Sequence, residues 1–478
     1  MSRLKEKWKA IPLAVKVSSA YALCSIFQRC LSFITMPLFT RLLTEEQYGQ
    51  VTVYQSWQGI LSILLTLNLA YGSFSTAMVK FEDDREGYIS SIEGICIALS
   101  LVFCLVYLPF QKLWNKLFEL PTYIMCIMVV ETLGTTALLL WNGKKRFEFK
   151  YKAVVGITLA VSVLSPIIQY VLVSTHDEKG YARIIGSAAV HIVVGCFFFF
   201  WNSIKGRKMF NKKYWKYALG FNIPLLAYYL SQIIFNQSDR IMISHMVGTD
   251  KAAIYGVAYS LAMVLTFVLN AINNSYVPWY YGKIKEGRMK DNRTVSLGIA
   301  GIMALLLLGV IWFAPEIILI MAGEKYAEAV YVVPPVAISL LLLFYTQLFA
   351  NVEFYYEEKK KLVWASIGAA VVNLVLNWVF IQLYGFVAAA YTTLASYIIF
   401  AFANYIAMKQ VLKEHEIEDE GYNYMGLLGL LLGFGAVSAI GALCYGSLIT
   451  RIIVATTALI VLFCKRRYFF ELLKTIKR

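Results

Sequence analysis

Charge is what this sequence has least of. Only 15% of its 478 residues are Asp, Glu, Lys or Arg, while 59% are hydrophobic, and mean hydropathy is +0.63. So few charges cannot cover the surface of a soluble protein of this length. Polar stretches of domain size are missing as well, because no gap between the apolar runs is long enough to hold a soluble domain. Histidines number four and stand singly at His176, His191, His245 and His415, which leaves a metal centre without support. The eight cysteines lack CxxC spacing and fall within or at the ends of apolar runs, so they read as buried thiols and not as disulfides or metal ligands. A GxxxxGK[ST] loop is absent, so the chain gives no sign of hydrolysing ATP. No cofactor and no catalytic residue is expected. No cleavable signal peptide is evident, since the first apolar run is too long and lacks a clear cleavage site.

What remains is a series of long apolar runs. They fall at residues 14–40, 46–78, 88–110, 119–141, 152–174, 182–202, 217–246, 252–278, 295–320, 327–351, 361–382, 386–408, 424–445 and 448–465. A run of about 18 or more apolar residues can cross a hydrocarbon core of about 30 Å as a helix. Continuous runs without period-two alternation exclude a barrel. The fold expected is an all-α polytopic membrane protein of about fourteen transmembrane helices.

Orientation follows from the basic residues. With the N-terminus inside, 34 of the 44 Lys and Arg fall in cytoplasmic segments, nine fall outside, and Arg29 lies within the first span. Both termini are then cytoplasmic. The net charge of +15 reflects topology and anionic lipid, and gives no reason to expect nucleic-acid binding.

The chain also repeats. Tyr48-Gly49 opens the second span and Tyr255-Gly256 the eighth; Gly180-Tyr181 precedes the sixth span and Gly385-Phe386 the twelfth. Both pairs are separated by about six helices. Six is even, so the two halves share one orientation, as in transporters built from parallel repeats. The expected organisation is a six-helix lobe at 1–210, a second at 211–415, and two additional helices with a basic tail at 416–478. A cavity is expected between the lobes. Thr44-Glu45-Glu46-Gln47 has the pattern of a capping box for the second span.

Polar residues inside the spans carry the candidate chemistry. Arg29 sits near mid-span, where an unpaired guanidinium costs roughly 2.5–3.5 kcal/mol on insertion scales. It is read as a ligand for phosphate, to which its fork is suited, or as the ion-pair partner of Glu131 in the fourth span. Asp239 and Arg240 are neighbours in the seventh span and cannot face each other, so each needs its own partner. Asn270 and Asn274 share a helix face in the eighth span and are read as cavity-lining amides, with Asn273 as helix glue. Tyr54 and Gln58 share a face of the second span and extend the polar set. The candidate substrate-binding residues are therefore Arg29, Tyr54, Gln58, Arg240, Asn270 and Asn274. Glu131 and Asp239 are candidates for ion coupling or ion pairing. Glu93 and Glu353 read as interfacial, Pro37, Pro224 and Pro278 as kinks, and Gly429 with Gly433 as a close helix contact.

The segment Met36-Pro37-Leu38-Phe39-Thr40-Arg41-Leu42-Leu43-Thr44 ahead of Tyr48-Gly49 carries a resemblance, as does Asp239-Arg240 ahead of Tyr255-Gly256. So does Asn373-Leu374-Val375-Leu376-Asn377 ahead of Gly385 and Ala388-Ala389-Ala390-Tyr391-Thr392-Thr393. In order and spacing the chain resembles the polysaccharide-transport (Wzx-like) flippase branch of the multidrug/oligosaccharidyl-lipid/polysaccharide flippase superfamily. Arg29 is similar to a first-helix arginine of the related lipid II flippase group. The resemblance implies two lobes, alternating access, and movement of a polyprenyl-pyrophosphate-linked glycan from inner to outer leaflet of a bacterial cytoplasmic membrane. Membrane lipids and polysaccharide polymerase machinery would be its partners. An exporter of drugs or other small molecules shares the fold, but Arg29 argues against a cavity for cations. A glycan polymerase or ligase would need a large outer loop, and the longest here are about ten residues.

Overall fold

The computed structural model describes residues 13–417 and 419–453. Among them are seventeen α-helices and no strand. In chain order these are α1 (Leu13–Leu42), α2 (Glu45–Thr66), α3 (Phe74–Lys80), α4 (Arg85–Tyr107), α5 (Gln111–Phe118), α6 (Thr122–Phe147), α7 (Tyr151–Thr175), α8 (Lys179–Gly206) and α9 (Lys212–Asn222). There follow α10 (Leu226–Met246), α11 (Thr249–Lys285), α12 (Asn292–Trp312), α13 (Ala314–Met321), α14 (Val333–Tyr355), α15 (Lys359–Tyr384), α16 (Ala388–Glu414) and α17 (Tyr424–Leu443).

Twelve segments of the described chain are long and apolar enough to cross a membrane. The second predicted span, α2, has 22 residues and the length to cross, but Gln47, Gln50, Gln55 and Gln58 make it too polar to count among the twelve. The fourteenth predicted span continues past Ile453, outside the described residues. The chain is a polytopic all-α membrane protein, as its composition requires.

Helix ends follow local chemistry. At the start of α2 the Thr44 hydroxyl accepts from the Gln47 amide at 3.2 Å, and the Gln47 side chain accepts from the Thr44 amide at 3.1 Å. That is the capping box read from the sequence. Pro224 breaks the seventh span, where a 3₁₀ turn at Ile223–Leu225 separates α9 from α10. Pro37 and Pro278 instead lie inside continuous helices, α1 and α11.

The chain divides into two compact units, Met1–Gln237 and Ser238–Arg478, with the boundary inside α10. In the first unit α8 is the central helix, packing against α2, α4, α6 and α7. In the second unit α16 packs most heavily against α14 and α15. These two helices are the sixth and twelfth predicted spans.

Candidate functional site

The first unit brings four polar side chains together where α6 and α8 touch. A Cβ built on Gly195 of α8 would lie 2.3 Å from the Cα of Gly134 on α6, closer than real Cβ atoms come to any neighbour. Only glycine allows the two backbones to meet there. Glu131 lies one turn before Gly134 and His191 one turn before Gly195, so the contact sets these two side chains against each other. His191 Nδ1 is 3.0 Å from Glu131 Oε1. Helix α2 supplies two more groups from one face: Tyr54 donates its hydroxyl to Glu131 Oε2 at 2.6 Å, and Gln58 donates Nε2 to the same oxygen at 2.8 Å. Glu131 is only 3% exposed. Two donors thus converge on Glu131 Oε2, and the His191 imidazole meets Oε1.

The second unit holds a comparable cluster around Asp239, which is 1% exposed on α10. Tyr255 of α11 donates to Asp239 Oδ2 at 2.5 Å and Thr393 of α16 to the same oxygen at 2.8 Å. Asn377 of α15 donates Nδ2 to Asp239 Oδ1 at 2.6 Å, and its carbonyl accepts from Thr392. Asn373, one turn earlier, accepts from Asn377 at 3.2 Å and donates to Thr393 at 3.2 Å. The donor set is carboxylate, hydroxyl and amide, with no imidazole. Oxygens of this kind serve hydrogen bonding or a hard cation, and no group of three or more His, Cys, Asp or Glu gathers among the described residues.

Of the remaining candidates, Arg240 borders the Asp239 cluster, its Tyr259 partner stacking on Tyr255 at 6.0 Å, and the others bond to neither carboxylate among the described residues. Arg29 is exposed on α1 and makes no ion pair or hydrogen bond among the described residues; Glu131 takes other partners. Gln28 beside it donates to Ser162 of α7 at 3.0 Å. The Arg240 guanidinium lies 4.3 Å from the centroid of the Tyr259 ring, so the neighbours Asp239 and Arg240 do have separate partners. Asn270 and Asn274 are exposed on α11, while Asn273 accepts from Asn351 at 3.3 Å. Glu93 and Glu353 are not interfacial. Glu93 is 2% exposed and accepts from Asn202 at 2.8 Å and Ser203 at 3.2 Å. Glu353 is fully buried, and neither of its oxygens has a hydrogen-bond partner among the described residues. Gly429 and Gly433 meet nothing within 4 Å among the described residues, so the close helix contact read there is not seen.

Sequence reasoning met His191 only as a lone histidine and gave it no role, as it stands alone in an apolar run and its partner is 60 residues away. Asn377 and Thr393 were noticed only as carriers of the resemblance. Their signal was polarity inside an apolar run, at i,i+4 from Asn373 for Asn377.

Comparison with known proteins bears on this architecture. The family model described as polysaccharide biosynthesis protein matches residues 14–281, and the MatE model matches residues 224–379. A protein of the Lsg locus of Haemophilus influenzae is 21% identical over 375 residues, which is 75% of this chain and 88% of the relative. The inward closed conformation of the lipid II flippase MurJ is similar in fold, with a TM-score of 0.62 and 15% identity, over 91% of this chain and 99% of that one. An inward-facing multidrug resistance MATE family transporter of the MOP superfamily aligns with a TM-score of 0.61 and 14% identity, over 80% and 96% of the two chains.

Proposed function

The chain belongs to the polysaccharide biosynthesis protein family, and from that membership we propose that it is the flippase of a polyprenyl-pyrophosphate-linked oligosaccharide. It is a multi-pass membrane transporter of the flippase type. The finer reading is that it carries a surface-polysaccharide repeat unit from the inner to the outer leaflet by alternating access. It sits in a bacterial cytoplasmic membrane with both termini inside, and passes its substrate to polymerase machinery.

One observation carries the choice of substrate class. Inside the spans the acids of the two clusters are sealed by their neighbours, at 3% exposure for Glu131 and 1% for Asp239, while Arg29, Asn270 and Asn274 are exposed. Among the described residues, the exposed polar groups inside the spans thus include a guanidinium in the first unit, at Arg29, and amides in both units, at Gln55, Asn270 and Asn274. A guanidinium matches pyrophosphate oxygens and amides match sugar hydroxyls. Cationic drugs would call for accessible acids.

The MatE match over residues 224–379 favours a second reading, an ion-coupled exporter of small molecules. Reconstitution separates the two. Proteoliposomes carrying a fluorescent polyprenyl-pyrophosphate disaccharide are treated with an impermeant quencher. The flippase reading expects the inner-leaflet pool to be quenched faster than in protein-free vesicles, and it is overturned if the rates are equal. Extrusion of ethidium by the same vesicles would support the exporter.

A further inference from the structure

The exposed apolar stripe of α8 runs straight into a basic segment. Val193, Phe197, Phe200 and Ile204 recur along α8 at helical spacing, with Trp201 beside them, and all are exposed. An aromatic at the end of such a stripe marks the level of the lipid headgroups. Residues 205–216 follow at once and carry Lys205, Arg207, Lys208, Lys212, Lys213 and Lys216, every one of them exposed. No Asp or Glu occurs in the sequence between Glu178 and Asp239.

The backbone of this segment is held in place. A Cβ built on Gly94 of α4 would lie 2.0 Å from the Met209 carbonyl oxygen, so the chain rests directly on that glycine. Ser91 donates its hydroxyl to the Lys208 carbonyl, and Trp215 donates Nε1 to the Met209 carbonyl at 3.1 Å. The Asn211 side chain caps α9, accepting from the amides of Lys213 and Tyr214 at 3.0 and 3.2 Å. Helix α9 then buries Tyr214, Ala218 and Asn222, which share one face, and packs on α4. Lys212 and Lys216 fall on the opposite face. The tip is apolar: Phe210 is 74% exposed, its ring 5.0 Å from that of Trp215, and Met209 beside it is exposed too.

Basic loops are expected throughout this chain, but elsewhere acids take up the charge. Lys144, Lys145 and Lys150 pair with Glu148 or Glu86. Lys283 and Arg288 pair with Glu286 and Asp291, and Lys290 and Arg293 with Asp419. In 205–216 only Lys208 is paired, with Asp84 at 2.6 Å, while Lys213 lies over the Phe81 ring. Lys205, Arg207, Lys212 and Lys216 make no ion pair among the described residues. Their charge is therefore available to an outside anion.

We propose that residues 205–216 are a docking surface for anionic phospholipid headgroups in the leaflet they face. The lysines and Arg207 meet the phosphates, and Met209 and Phe210 sit at the acyl boundary. A soluble anion or an acidic protein would use the charge but leave the apolar tip and the α8 stripe in water. A lipid uses all three, because the stripe, the bases and the tip lie in sequence across the depth of one interface. The segment joins α8 to α9 and so leads into α10, which places this lipid contact on the chain that connects the two units.

The test uses the full chain in a neutral detergent, titrated with fluorescent phosphatidylglycerol or phosphatidylcholine. Phosphatidylglycerol is expected to bind more tightly, and the triple variant Lys205→Gln, Lys212→Gln, Lys216→Gln to lose about tenfold or more of that affinity, each base near the surface being worth roughly 1 kcal/mol. Phosphatidylcholine binding should be the same in both proteins. If the triple variant does not fold, Lys212→Gln and Lys216→Gln singly should each cost about fivefold. Raising salt from about 0.1 M to about 1 M should weaken phosphatidylglycerol binding by the wild type, because screening shortens from about 10 Å to about 3 Å. Phe210→Ser should weaken it as well, with the bases intact. Equal binding of the two lipids, or undiminished phosphatidylglycerol binding by the lysine variants, overturns the proposal. Phe210→Ser binding like wild type, or inorganic phosphate competing as well as the lipid, would make this a soluble-anion site and overturn it too. No transport substrate enters the test, so its failure leaves the transport reading untouched.

Discussion

At the scale of the residue, the groups that matter are those whose charge the bilayer makes expensive. Arg29 is the clearest test. It is exposed and without an ion-pair partner among the described residues, so its removal should cost function more than stability. Arg29→Ala is expected to abolish about nine-tenths or more of the flipping rate while the protein still inserts. Arg29→Lys keeps the charge but not the fork and should retain an intermediate rate. Adding Glu131→Ala to Arg29→Ala should not restore activity, because Glu131 is paired elsewhere; recovery in the double variant would contradict the ligand role. Glu131→Ala by itself should destabilise, as it strands the Tyr54 hydroxyl, the Gln58 amide and the His191 imidazole. Such groups cost about 1–3 kcal/mol each when buried unpaired, and a bilayer softens the penalty toward the lower value. Thermal unfolding of the Ala and Gln variants side by side would show it, with Gln the milder change. Much of this was legible in the sequence: a polar side chain inside an apolar run needs a reason, and Glu131, Tyr54, Gln58 and Asp239 stood out on that ground. Their partners were not legible. Nothing in one sequence says that residue 191 faces residue 131, because that pairing is made by two glycines and a helix crossing.

At the scale of the element, that crossing carries the argument. Gly195→Ala puts a methyl where the backbone of α6 lies, so α6 and α8 must separate and His191 must draw away from Glu131. The expected result is a melting temperature lower by about 5 °C or more, since a few kcal/mol move the midpoint of a unit this size by several degrees. A Cβ on Gly156 of α7 meets nothing within 4 Å among the described residues. Gly156→Ala should therefore leave the melting temperature unchanged or raise it slightly, by the better helix propensity of Ala. Equal losses in the two variants would mean that the glycine contact is not what holds α6 to α8. The spans themselves were readable from length and hydropathy alone, and so was the break at Pro224. Glu93 and Glu353 were misread because their position near a span end suggested the interface. Depth along one helix says nothing about which neighbours cover it, and here other helices seal both carboxylates.

At the scale of the whole molecule, the basic residues predict which ends of the helices face the cytoplasm. Two single cysteines in a background without the eight native ones test this. Lys212, at the start of α9, is expected inside; Glu178, just before α8, is expected outside; both are exposed. Lys212→Cys should resist an impermeant thiol reagent applied to intact cells, and Glu178→Cys should react. The reverse pattern would invert the topology without changing a single contact within either unit.

The central place of α8 also has a consequence for how the protein is made. Its partners α2, α4, α6 and α7 all precede it in the chain. They must enter the membrane and wait there, with Glu131 still lacking its imidazole, until α8 is synthesised. From the end of α2 at Thr66 to the end of α8 at Gly206 is a stretch of 140 residues. At the usual rate of about 5–20 residues per second the wait is roughly 7–28 seconds. For that interval the nascent half-protein is a loose set of helices, and over its later part Glu131 Oε1 lacks its partner, since His191 follows 60 residues after it; it is then that a quality-control protease in the membrane would find it. Chains arrested just before α8 should be degraded much faster than chains arrested just after it.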